Sequence, residues 1–134
     1  MTSSPKTFGK KEKLVSKKTI DALFSGGNSR SMSAYPLRVV FMRKERCETE
    51  EPAQVMVSVS KRHFKRAVKR NRVKRQIREA YRLNKHLLHE ALEQKKDTTV
   101  AMAFIWQSDE LAETALITEK MQSLLSRMAE KISR

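Results

Sequence analysis

The sequence predicts an α+β protein, a small mixed sheet with helices packed on it, in the order α-β-β-α-β-α. Three observations carry this expectation. Residues 35–42, 55–60 and 98–106 alternate with the period of strands. Residues 64–94 and 108–132 repeat apolar side chains at helical spacing. A shorter helical segment, 16–25, stops at the pair Gly26 and Gly27, which supplies a left-handed residue at a helix end.

At 134 residues the chain is long enough for one core and too short for two. Residues 1–12 are mostly Ser, Thr, Lys and Pro with little to bury and read as a mobile basic tail, leaving 13–134 as a single domain. Ser16 is placed to cap the first helix, with Val15 and Ile20 spaced as a hydrophobic staple. Ile20, Leu23 and Phe24 share one helix face.

The first strand puts Tyr35, Leu37, Val39 and Phe41 on one face and Pro36, Arg38, Val40 and Met42 on the other. Pro36 lacks a donor and marks a strand start or edge. A charged loop, 43–52, leads to Val55, Val57 and Val59 alternating with Met56, Ser58 and Ser60; the short connection predicts an antiparallel hairpin with the first strand. A long helix from about Phe64 to Leu83 continues through 86–94, and Val73, Ile77, Ala80, Tyr81, Asn84 and Leu88 fall within roughly a 100° arc of it. The last strand, 98–106, precedes a helix expected to begin at Ser108 and Asp109, with a seam of Ile117, Met121, Leu124, Leu125, Met128 and Ile132.

Charge is concentrated on the long helix. Between Val59 and Arg82 stand eleven Lys and Arg against the single acid Glu79, ten of the chain's fourteen net positive charges. Such a cluster repels itself and is neutralised best by a polyanion. Asn71, Lys74, Arg75, Arg78 and Arg82 gather on an arc roughly 125° from the apolar one, so one side packs while a neighbouring side presents cations. Arg supplies a planar fork for phosphate oxygens, Lys a point charge, and the Asn71 amide both donates and accepts. A solvated salt-bridge face would need acids at i±4, and only Glu79 is available. No heptad zipper follows, which argues against a basic-region dimeriser on DNA. The helix also has no broad apolar face left over for a membrane.

Catalytic and metal-binding patterns are missing. The acids are dispersed, and three glycines cannot build a phosphate loop. His86 and His89, with Glu90 and Glu93 nearby, read as a solvated helix face more readily than as metal ligands. Cys47 stands among Glu45, Glu48, Glu50 and Glu51, which oppose thiolate formation, and as the single cysteine it can make no internal disulfide. With no signal-peptide pattern and no apolar run of about 18 residues, the chain reads as cytoplasmic, with no membrane partner. The residues alone thus describe an RNA- or DNA-binding subunit without catalytic groups of its own.

The run Val57, Ser58, Val59, Ser60, Lys61, Arg62, followed by 66–82 with its Arg70-Asn71-Arg72 triplet, Lys74-Arg75 and Arg78-Glu79, resembles the signature of the bacterial ribonuclease P protein component. The likeness is strong over 57–82 and extends in element order over about 12–130. It implies an α/β sandwich with a left-handed crossover, against the general right-handed preference. It also implies a subunit of an endoribonuclease that removes the 5′ leader of precursor tRNA, with the RNA subunit carrying the chemistry and the Mg²⁺ ions, and this chain binding no cofactor itself. The expected partners are that RNA and precursor tRNA, bound by a monomer pairing one-to-one with the RNA. The RNA-binding set is Arg66, Arg70, Asn71, Arg72, Lys74, Arg75, Arg78 and Arg82. A leader cleft between the first helix and the sheet takes Ile20, Phe24, Arg38, Val40, Lys61 and Arg62. Two departures stand out: Ile20 occupies a position where the family commonly has an aromatic, and the turn at 62–65 lacks a Gly that many members place before the helix. The alternative reading is a non-enzymatic RNA-binding module, such as a ribosome-associated protein, using the same helix.

Overall fold

A computed structural model describes residues 12–25, 27–45, 51–95 and 97–133. The elements in chain order are α1 (Lys17–Ser25), β1 (Arg30–Ala34), β2 (Leu37–Glu45), β3 (Ala53–Ser58), α2 (Ala67–Asn84), α3 (His86–Leu92), β4 (Thr98–Trp106) and α4 (Thr114–Ser133). Of the expected mobile tail, 1–12, residues 1–11 lie outside the described residues, as does Cys47; Glu12 is not mobile but held in a largely buried pair with Lys85, which fixes the start of the fold one residue earlier.

The α+β class holds, but the hairpin is a different one. The sheet order is β1-β2-β4-β3, with β4 antiparallel to β2 and parallel to β3. β2 and β3 are therefore not paired, and the hairpin partner of β2 is β1, around the turn at Tyr35 and Pro36. The reason lies in β4. Val100 through Phe104 is buried on both faces, and a strand with no polar side is stable only in the middle of a sheet. A β2–β3 hairpin would have left it on an edge, where unpaired backbone meets water.

The face bearing Leu37, Val39, Phe41, Val55, Met102 and Phe104 packs on α2, α3 and α4 to form the main core. All six seam residues expected on α4 are buried there, as are Val73, Ile77, Ala80, Tyr81, Asn84 and Leu88. The Tyr81 and Phe104 rings meet at 6.0 Å and 51°. Asn84 is polar but satisfied: its amide donates to the Ala80 carbonyl at 2.9 Å and accepts from Gln122 at 3.0 Å. The opposite face is covered in part by α1, where Leu14, Leu23, Val40, Ala101 and Ala103 are buried and Ile20, Met42, Met56 and Ile105 half-buried.

Local boundaries differ from the sequence reading for identifiable reasons. Ser16 does cap α1, its Oγ accepting from the Thr19 amide at 3.3 Å. The staple is not made, because Leu14 is the buried anchor: its amide bonds the Val55 carbonyl at 2.9 Å, and Val15 is turned outward at 80 % exposure. Gly27 is not left-handed, and Gly26 lies outside the described residues. α2 begins at Ala67, not Phe64, which lies in the turn before the helix with its side chain buried in the main core. α4 begins at Thr114, because Ser108 accepts from the Glu110 amide at 3.0 Å in a turn and Asp109 contacts His63 Nδ1 at 2.7 Å.

Candidate nucleic-acid interface

α2 offers its cations unequally. Arg66, Asn71, Arg72, Arg75 and Arg78 are exposed, and Lys74 is half-buried. Arg82 is engaged by Glu79, its Nε donating to Oε1 at 3.0 Å and a second guanidinium nitrogen closing the pair. That bond holds the Glu79 carboxyl below the usual carboxylate range and raises Arg82 further.

Arg70 does something the sequence did not reveal. Its Nη1 donates to the Phe64 carbonyl at 2.8 Å and the Lys65 carbonyl at 2.9 Å, fixing the turn that leads into α2. Arg66, the residue preceding the helix, is extended and makes no side-chain cap. A guanidinium inside the first turn therefore organises an entry without a Gly, tying two carbonyls that a glycine turn would have arranged by backbone freedom.

The second surface is a groove of about 360 Å³ lined by Leu23, Phe24, Ser29, Arg30, Ser31, Arg38, Val40 and Ile105. It lies between the end of α1 and the strands β1, β2 and β4. Phe24 is 49 % exposed, half-embedded beside Leu23, which is fully buried. An aromatic held this way presents a ring face on a fixed base, and Arg38 beside it supplies charge. Of the residues expected here, Phe24, Arg38 and Val40 line the groove. Ile20 does not; it packs half-buried against the α1-side cluster. Lys61 and Arg62 stand exposed in the turn after β3, near the end of β4 that carries Ile105, because Ser58 pairs with Ile105. Ser29, Arg30 and Ser31 escaped the sequence reading because β1 did, and Ile105 was visible only as one face of an alternating strand.

A third depression of about 410 Å³, lined by Lys13, Leu14, Val15, Val55, Met56, Val57 and Arg78, joins the segment before α1 to the cationic helix. Among the described residues no three His, Cys, Asp or Glu side chains gather to hold a metal. His89 instead contacts the Tyr81 hydroxyl at 3.4 Å. No helix among the described residues is long and apolar enough to cross a membrane.

A sheet half-covered by helices, one strongly cationic helix face and a groove combining an aromatic with arginines define an RNA-binding α+β protein. The chain belongs to the ribonuclease P protein family: the model described as Ribonuclease P matches residues 8–129. It is 45 % identical over 132 residues to the ribonuclease P protein component of Porphyromonas gingivalis strain ATCC 33277, covering 95 % of this chain and 91 % of that one. A second Porphyromonas gingivalis relative, from strain W83, is 43 % identical over 129 residues, at 95 % and 91 % coverage. The fold is that of the ribonuclease P protein from Thermotoga maritima, with a TM-score of 0.64 at 20 % identity over 87 % of this chain and 96 % of that one. Membership makes this chain a ribonuclease P subunit in tRNA processing, with an RNA subunit as its partner.

Proposed function

We propose that the chain binds the ribonuclease P RNA through the exposed cations of α2 and holds the single-stranded 5′ leader of precursor tRNA in the Phe24–Arg38 groove. The RNA subunit carries the reaction and its Mg²⁺ ions, the complex is one-to-one, and it works in the cytoplasm. The observation that most supports this division is the pairing of two different surfaces on one scaffold. The α2 face is nearly all cation and suits a phosphate backbone, where affinity comes from displaced counterions. The groove sets Leu23, Phe24, Val40 and Ile105 beside Ser29, Ser31, Arg30 and Arg38, with the Phe24 ring half-exposed, which suits a single strand whose base stacks while its phosphate is paired. Arg66, Asn71, Arg72, Lys74, Arg75 and Arg78 contact the RNA subunit directly, while Arg70 shapes the turn that presents them, and Lys61 and Arg62 guide the strand from one surface to the other.

Reconstitution tests the reading. Purified protein added to a bacterial ribonuclease P RNA at low Mg²⁺ stimulates precursor-tRNA cleavage, and protein free of RNA cleaves nothing. Robust cleavage by the nuclease-cleared protein alone, or no stimulation of the RNA, overturns it.

A further inference from the structure

On the helical side of the sheet, the face opposite α1, a cavity of about 520 Å³ is lined by Asn28, Arg30, Phe41, Met42, Arg43 and Lys131. It stands where β1 stops and β2 runs on: Arg30 pairs with Phe41, and β2 continues to Glu45 with no β1 residue opposite it. Phe41 packs into the main core, so Arg43, two residues along the same strand, projects on the helical side, as does Arg30 opposite Phe41. As diagonal neighbours on one sheet face, the two arginines start roughly 7–8 Å apart. Lys131 comes to them from the end of α4, where its main-chain carbonyl accepts from Arg43 Nη2 at 2.9 Å.

Charge in this corner is uncompensated. Three of the six lining residues are cations and none is an acid. Elsewhere Arg82, Lys85 and Lys120 each meet a carboxylate. Arg30, Arg43 and Lys131 are exposed and make no ion pair among the described residues, although Glu45 and Glu130 stand close in sequence. The bond to α4 uses one nitrogen of the Arg43 fork and holds the guanidinium in place, leaving its other N–H groups for an anion. Cations gathered around one hollow without a counter-charge suit adjacent phosphates.

The corner is separate from the cations of α2. α4 lies over β1 and β2, whereas α2 lies over β3, where Arg78 reaches the hollow beside Val55 and Val57. The two cationic surfaces thus flank one helical layer at opposite edges of the sheet, across three strand spacings or roughly 14 Å. We propose that the Arg30–Arg43–Lys131 corner is a second contact for the ribonuclease P RNA, holding phosphates of a segment other than the one on α2. The inference rests on the reading of α2 as the RNA-subunit surface and extends it. The Phe24 groove opens on the α1 side, so the substrate strand has its place there, and the helical side is left to the RNA subunit.

The test measures binding of a bacterial ribonuclease P RNA by K131Q and R43Q/K131Q over a range of salt, beside the unaltered protein. K131Q keeps the Arg43 bond to the main-chain carbonyl, and Arg30 is left in place because it also borders the groove. Thermal melts establish that both variants fold. The expected result is a loss of about three- to tenfold at moderate salt, with the salt slope falling by roughly one for each cation removed. Combined with R72A/R75A the losses multiply, because the two surfaces are far apart and share no partner. Once assembled at saturating protein, the variant complexes hold precursor and mature tRNA as the unaltered one does. Unchanged binding of the RNA subunit by folded variants, or a loss seen only on tRNA or only with inorganic pyrophosphate, overturns the second contact. If R72A/R75A is silent while the corner variants lose affinity, the α2 reading has failed and the corner stands; if both are silent, both have failed.

Discussion

Lys85 Nζ donates to Glu12 Oε1 at 2.6 Å, with the two side chains only 8 % and 12 % exposed. The pair joins the segment before α1 to the junction of α2 and α3. Next to it, Leu14 hydrogen-bonds along β3, so the chain enters α1 from a fixed point. The groove beside Phe24 and the cationic helix α2 are thereby moored to each other.

Removing one partner of a buried pair strands the other, so Lys85→Met lowers stability by about 3 kcal/mol. That corresponds to a fall in thermal midpoint of roughly 10 °C for a domain of this size. The double variant E12L/K85M regains most of it, since neither charge is then left buried. A melt in which the double variant is no better than K85M shows the two residues to be uncoupled.

On α2, structural and binding arginines separate. R72A/R75A leaves the thermal midpoint nearly unchanged and weakens binding to the RNA subunit, with a shallower salt slope. Arg70→Ala costs about 1–2 kcal/mol, because its two bonds to main-chain carbonyls are lost. Thermal melts run beside salt-titrated binding distinguish the two. An R70A protein of full stability removes the anchoring role.

Phe24 is half-exposed, so truncating it costs little core. Phe24→Ala lowers precursor-tRNA affinity about tenfold, within the 1–3 kcal/mol of one base–aromatic stack. Mature tRNA, which has no leader, binds the variant and the unaltered complex alike, and F24L serves as the volume-sparing control. Equal losses on precursor and mature tRNA return Phe24 to a packing role.

Tyr81 sets an alkaline limit. Burial pushes its hydroxyl far above the ordinary value of 10.0, and the Glu12 and Glu51 charges add to the shift. A folded-state pKa above the unfolded one means stability is complete below about pH 10 and lost above it, by up to about 1.4 kcal/mol per pH unit. Tyr81→Phe removes this slope while leaving the lysine contributions in place. Denaturant midpoints between pH 9 and 11 that fall in parallel for both proteins count against Tyr81 as the source.

The helices and β4 were legible because their patterns are long: six seam residues on α4 repeat at helical spacing, and 98–106 matches β4 end to end. Pairing was not legible. β1 is five residues with Met32 as its single buried side chain, too few for alternation to register. That β4 enters between β2 and β3 depends on which strand most needs two covered faces, a comparison no single segment carries. The cations of α2 could be counted in the sequence but not apportioned. Arg70 and Arg72 look alike until the turn beneath one of them supplies two carbonyls.

The position of β4 bears on how the protein is made. It is the last strand synthesised among the described residues and lies between β2 and β3, so β2 and β3 have no common neighbour until residues 98–106 have left the ribosome. Until then the nascent chain holds one hairpin, β1–β2, and an isolated β3 followed by a highly charged helix whose apolar seam has no sheet to cover. Closing the sheet joins segments far apart in sequence, a slow step that leaves strand edges open while it lasts. Mutual repulsion along α2 keeps such chains apart during that interval. The same charge proposed above to hold RNA in the finished protein thus guards the unfinished one against self-association.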